Sequence, residues 1–163
     1  MNAAATVPVH AWIIPGQLAV AERPGGGGRS HRVARREADL AWWREQGVRT
    51  IVSCMRSRHA LVEYAAGGWG VRWHPLKDVV QARAEIPRIA ADVADLAARE
   101  PGAVLVHCDR VSEWLAAIDA ALRLRLELAT DVAVALEQAE ADGLPVGDLA
   151  RDLMDVGGGP EAA

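Results

Sequence analysis

The chain has 163 residues and a mass of 17.4 kDa, enough for one domain with a real core. Hydrophobic residues make up 51% of it and charged residues 25%, the balance of a globular chain and not of a disordered one. A net charge of −4 and a pI near 5.7 give no electrostatic ground for nucleic acid or an anionic membrane as the main partner. No apolar run approaches the roughly 20 residues that span a bilayer. The start, Met1-Asn-Ala-Ala-Ala-Thr-Val-Pro, has no basic segment ahead of an apolar one, so no secretory signal is expected there. Cys54 and Cys108 are too few for a disulfide scaffold or a tetrahedral zinc site. The expectation is a cytoplasmic chain with no metal and no cofactor.

No internal repeat is visible. Trp12-Ile-Ile-Pro-Gly-Gln-Leu-Ala-Val-Ala reads as two short strand pieces around a Pro15-Gly16 turn. Pro24-Gly25-Gly26-Gly27-Gly28 reads as a flexible surface loop that does not pack. Ser30 is placed to cap a helix running to Gln46, with Gly47 as its stop. Val48–Ser53 is a short apolar strand ending at Cys54; a helix over His59–Ala66 and a strand over Val71–Leu76 follow. Ile86, Ile89, Ala90, Val93, Leu96 and Ala97 mark one face of a helix expected over Ala84–Glu100, with Pro87 in its first turn. The unbroken apolar run Ala103–His107 has the pattern of a strand buried on both faces. Helices over Trp114–Leu128, Asp131–Ala141 and Val146–Met154 complete the chain.

Strands alternating with helices imply a single α/β domain with a mostly parallel sheet. It is expected over residues 10–155, between an N-terminal arm (1–9) and a disordered tail (156–163). In such sheets ligands bind beyond the C-terminal strand ends. That rule selects Cys54, Asp78 and the loop beginning at Cys108. A cysteine at a strand end, followed by a short loop and a helix N-terminus, sits in a positive local field. Such a field favours the thiolate and attracts oxyanions, which makes a nucleophile facing a bound phosphate.

Here the chain resembles the cysteine-dependent protein tyrosine and dual-specificity phosphatases, over roughly residues 10–130. The resemblance rests on His107-Cys108 after an apolar strand, Pro15-Gly16-Gln17-Leu18-Ala19, Gly47-Val48-Arg49-Thr50-Ile51-Val52 and His74-Pro75-Leu76-Lys77-Asp78. It implies a phosphotyrosine-phosphatase-like fold, Cys108 as nucleophile, and Asp78, 30 residues earlier, as the acid that protonates the leaving group. Where the family has His-Cys-x-x-Gly-x-x-Arg-Ser/Thr, this chain departs from it. Val111 stands at the Gly position, Trp114 at the Arg position and Leu115 at the Ser/Thr position.

Each departure has a physical consequence. Arg would fork two N–H bonds onto the phosphate oxygens, whereas indole offers one neutral donor. Losing one oxyanion donor costs on the order of 10²–10³ in rate, and losing a guanidinium at least as much. Val resists the backbone angles that Gly permits, and Leu115 cannot donate to a departing thiolate. Asp109 and Glu113 are expected to add negative charge beside the anion site. The anion-binding loop on this reading is Cys108, Asp109, Arg110, Val111, Ser112, Glu113 and Trp114, with Arg110 at the rim.

Several residues keep two readings. Cys108 is a functional thiol or a small buried hydrophobe. Asp78 is a vestigial acid or a turn residue. His107 orients the loop by hydrogen bonding sooner than it titrates. Trp114 is core, or its ring fills the anion pocket. Arg56, Arg58 and Arg83 could enter from neighbouring loops. Trp42-Trp43 is half core and half surface, and an exposed Trp would favour a protein partner. Some members of the resembled family protect the nucleophile with a disulfide to a cysteine placed like Cys54. That implies a Cys54–Cys108 redox pair, against the blander reading of two unrelated buried thiols.

The functional expectation is therefore a phosphatase-fold protein with impaired or absent phosphoester hydrolysis, a pseudophosphatase. It would serve as a phosphate- or anion-binding or protein-interaction module, without nucleic acid or membrane partners. An active cysteine-dependent phosphatase with a rearranged anion site is the first alternative. A rhodanese-like sulfurtransferase is the second.

Overall fold

A computed structural model describes residues 11–155, so the expected N-terminal arm and C-terminal tail lie outside the described residues. The elements in chain order are β1 (Ala11–Ile14), β2 (Leu18–Glu22), α1 (Val33–Glu45), β3 (Val48–Ser53), α2 (His59–Ala66), β4 (Gly70–Trp73), α3 (Val79–Arg99), β5 (Ala103–Cys108), α4 (Glu113–Arg125), α5 (Val132–Ala141) and α6 (Asp148–Met154). They form a single α/β domain. The sheet order is β1-β2-β5-β3-β4, with β1 antiparallel to β2 and every other pairing parallel.

Every residue of the central strand β5 is buried, which explains its unbroken apolar run: helices cover both of its faces. Side chains alternate between those faces. Val104, Val106 and Cys108 join the larger core under α3, α4, α5 and α6, while Ala103 and Leu105 join a smaller one with Trp43 and Tyr64. The parallel register pairs Ser53 with His107. One step further, the amide N–H of Cys54 donates to the His107 carbonyl at 2.9 Å. Cys54 and Cys108 therefore point to the same side, at the C-terminal edge of neighbouring strands.

His107 points the opposite way, into the smaller core. Its ring lies edge-on to Tyr64 with centroids 5.9 Å apart. Nδ1 is 3.2 Å from the Cys108 carbonyl, an oxygen that only accepts, so Nδ1 carries the proton. Nε2 then accepts from the Tyr64 hydroxyl at 3.3 Å. Burial disfavours the imidazolium and lowers the His107 pKa from 6.5 to about 4.

Several element boundaries differ from the sequence expectation, among them the end of α4 at Arg125. Ser30 lies in a short 3-10 turn, and α1 begins three residues later with Arg32 at its N-cap. α3 begins at Val79 and not at Ala84, because Asp78 caps it: Oδ1 accepts from the Gln81 N–H at 2.9 Å. Pro87 is consequently inside the helix. A proline there costs about 3 kcal/mol, and the buried face of Ile86, Ile89, Ala90, Val93 and Leu96 carries the helix through it. β4 is shorter than expected and ends at Trp73. Trp43 is fully buried and Trp42 half-buried, so neither is a free aromatic on the surface.

The glycine-rich segment overturns its own expectation. Pro24, Gly25 and Gly26 are buried. The Gly25 N–H donates to buried Asp39 Oδ2 at 2.8 Å, and the Gly25 carbonyl accepts from Arg32 N–H at 2.9 Å. The segment packs because it lacks side chains. At Gly25, whose φ is +91°, a Cβ would stand 2.6 Å from the His31 ring. At Gly27 a Cβ would strike the carbonyl of Asp109, the residue after Cys108.

Two predictions follow from this packing. Gly27→Ala forces the Asp109 carbonyl aside and should destabilise the fold by about 1–3 kcal/mol, read as a lowered denaturant midpoint. A midpoint equal to the wild type would show that the segment yields freely. For His107, the unfolded chain protonates from pH 6.5 downward while the native state stays neutral to about pH 4. Stability from this group is therefore complete above pH 6.5 and falls as pH drops through that window, by up to about 1.4 kcal/mol per unit. Denaturation of His107→Gln at pH 7 and pH 4.5 should show a shallower loss than the wild type; equal slopes would refute the assignment.

Candidate functional site

The C-terminal ends of β3, β4 and β5 frame a cleft of about 420 Å³. Cys108 and Cys54 lie at its base; Met55, Leu76 and Trp114 supply apolar walls; Arg56, Lys77, Asp109, Arg110 and Ser112 complete the lining. Both thiols are buried and unbridged. The neighbouring Cys108 thiol, together with burial, pushes the Cys54 pKa well above the ordinary thiol value. Negative charge on Cys108 and on Glu85 acts in the same direction. Cys54 accordingly holds its proton.

The loop after Cys108 has a definite occupation for almost every side chain. The Asp109 carboxylate pairs with Arg23 Nη1 at 3.4 Å and accepts from the Gly28 N–H at 3.4 Å. Arg110 is exposed at the rim, 3.6 Å from the same carboxylate. Val111 and Trp114 pack on the larger core. Ser112 caps α4, its hydroxyl oxygen accepting from Leu115 N–H at 3.5 Å. Glu113 Oε1 accepts from the Ala150 N–H at 3.3 Å, in the first turn of α6. Of the two carboxylates expected to add negative charge beside the anion site, Asp109 lines the cleft and is paired with Arg23, while Glu113 turns to α6. No described residue accepts from the backbone N–H groups of Arg110, Val111 or Ser112, which are left available as donors.

The other sequence candidates are placed differently. His107 lies behind the loop, on the far side of β5, and holds the Cys108 carbonyl from there. Asp78 is exposed and does not line the cleft; its neighbours Leu76 and Lys77 do. Arg56 lines the cleft, Arg58 stacks over the Trp73 ring at 4.6 Å, and Arg83 turns to the Asp152 carbonyl at 3.1 Å. Sequence reasoning missed Met55, Leu76 and Lys77 as cleft residues. The only signal for them was their place one to two residues past a strand or beside Asp78. No group of His, Cys, Asp and Glu side chains suited to a metal ion occurs among the described residues, and none of their helices is long and apolar enough to cross a membrane.

No protein-family description and no curated protein matches the chain. Solved structures do. Tk-PTP in its active form is similar with a TM-score of 0.63 at 16% identity, over 87% of this chain and 90% of that one. Human DUSP28 gives 0.58 at 17%, over 86% and 90%. Kinase associated phosphatase, with its catalytic-site cysteine replaced by serine, gives 0.58 at 13%, over 83% of each. At these identities the likeness concerns architecture alone. The chain has the fold of the tyrosine and dual-specificity phosphatases.

Proposed function

We propose that the chain is a phosphatase-fold protein with impaired or absent phosphoester hydrolysis, which holds a phosphorylated or otherwise anionic ligand over Cys108. One observation carries the reading: Trp114 forms a wall of the cleft and packs on the core, at the loop position where a guanidinium would clasp the phosphate. Indole brings at most one neutral N–H to that point. Arg110 does not replace the missing group, since it is drawn to Asp109 at the rim.

The backbone N–H groups of the loop and the N-terminus of α4 still favour an anion near the sulfur. Hydrolysis asks for more. Attack by the Cys108 thiolate on phosphorus would form a thiophosphate and expel an alkoxide or phenoxide, which must take up a proton. Asp78, the expected donor, has its carboxylate committed to the α3 N-cap. The active-phosphatase alternative therefore needs both a different clasp and a moved Asp78. The sulfur-carrier alternative has less support, because the matched folds are phosphatases.

Turnover of 4-nitrophenyl phosphate tests this directly. The wild type should run at least 10²–10³ below a Val111→Gly, Trp114→Arg double variant, and Cys108→Ser should abolish whatever the double variant gains. Wild-type turnover equal to that of the double variant, and lost in Cys108→Ser, would establish an active enzyme instead.

The paired thiols belong to the same proposal as a redox couple. One equivalent of hydrogen peroxide would take both sulfurs to a disulfide and leave two molecules of water. Non-reducing peptide mapping should recover a Cys54–Cys108 crosslink. Recovery of only sulfinic or sulfonic Cys108, with Cys54 untouched, would remove the pairing.

A further inference from the structure

We infer that Arg56 and Lys77 together form the anion clamp of this cleft, acting from the β3–α2 and β4–α3 loops. This rests on the reading of the cleft as an anion site and names the side chains that would do the holding.

Charge accounting around the cleft leads there. Arg23, Arg35, Arg36, Arg72, Arg83, Arg88, Arg99, Arg110 and Arg123 each form an ion pair. Arg44 and Arg58 lie over the Trp69 and Trp73 rings. Among the described residues Arg29, Arg32, Arg49, Arg56, Lys77, Arg125 and Arg151 show no ion pair, and of these Arg56 and Lys77 line the cleft that contains Cys108. The carboxylate lining the same cleft, Asp109, is already paired with Arg23. The mouth therefore carries uncompensated positive charge on a chain whose net charge is −4.

Both cations stand on braced backbone. The Trp73 indole N–H donates to the Met55 carbonyl at 2.8 Å, and Arg58 lies across that ring, which fixes the loop carrying Arg56. The Lys77 N–H donates to Gln81 Oε1 at 3.0 Å, while Gln81 Nε2 donates to the Pro75 carbonyl at 2.9 Å. The Leu76 N–H ties one loop to the other through the Cys54 carbonyl at 3.2 Å. Two long side chains thus leave adjacent, cross-linked loops on the β3–β4 side of Cys108. Arg110 is held on the opposite side, against Gly28 and Asp109. A phosphoryl group over the sulfur would meet the loop N–H groups below and these two cations beside it. Lys offers a point charge, and an Arg from this direction is not the in-loop fork, so the clamp serves binding more than transition-state stabilisation.

The test is calorimetric titration of inorganic phosphate and of tungstate into the full chain, with thermal melts confirming that each variant folds. Arg56→Ala and Lys77→Ala should each weaken binding about tenfold or more. The double variant should weaken it further, Arg56→Lys should recover part of it, and Arg29→Ala should leave it unchanged. Full binding by the double variant, or a loss that follows Arg110→Ala instead, would overturn the clamp and leave the anion site standing. Absence of binding by the wild type would overturn both.

Discussion

The burial of β5 on both faces is the constraint from which the site derives. A strand covered on both sides must place alternate residues in two different cores, and its last two residues, His107 and Cys108, inherit that alternation. The imidazole goes to Trp43 and Tyr64, the thiol to the cleft. Because burial keeps His107 neutral, one nitrogen is free to accept from Tyr64 while the other donates to the Cys108 carbonyl. An imidazolium would have two donors and would lose the Tyr64 bond as an acceptor. The backbone at the start of the loop is thus set by a group with no access to solvent, and the sulfur above it inherits a fixed position.

The same alternation explains the thiol pair. β3 lies beside β5 in parallel register, so the residue after Ser53 takes the side that Cys108 takes after His107. Sequence alone identifies two cysteines at two strand ends. It does not give the strand order, and a sheet with another strand between β3 and β5 would have parted them. The proximity is a product of topology, and the neighbouring Cys108 thiol, with burial, raises the Cys54 pKa.

What was legible in the sequence was whatever rests on periodicity: the strands β3 and β5, the buried face of α3, and the strand–loop–helix step at Cys108. Two features were hidden because the deciding interaction is with a distant residue. Pro24–Gly28 looks like a linker by composition, yet its glycines are where the backbone closes on Asp39, His31 and Asp109. Residues 79–83 look like a connection ahead of Pro87, yet Asp78 starts the helix there. Asp78 illustrates the limit well. A carboxylate at that spacing satisfies a helix N-cap as readily as it would serve a leaving group, and only the position of Gln81 N–H distinguishes the two.

The side chains of the loop after Cys108 are engaged in packing and capping. In a loop built around an anion, side chains stand clear so that N–H groups converge, and one guanidinium closes the cage. Here Val111 and Trp114 fill the core, Ser112 caps α4, and Glu113 reaches the N-terminal turn of α6. These contacts fasten the loop to the larger core and to α4 and α6 behind it. On the proposed reading such a loop would discriminate less, because it lacks the fork that distinguishes a tetrahedral dianion from other anions. On the proposed reading, charge complementarity passes from the loop to the neighbouring strand ends, where Arg56 and Lys77 line the cleft. On that reading, binding and catalysis, which one arginine couples when it sits inside the loop, become separable. A cation beside the ligand stabilises the bound anion in its ground state and its transition state nearly alike, and uniform stabilisation of that kind tightens binding without raising the rate of the chemical step.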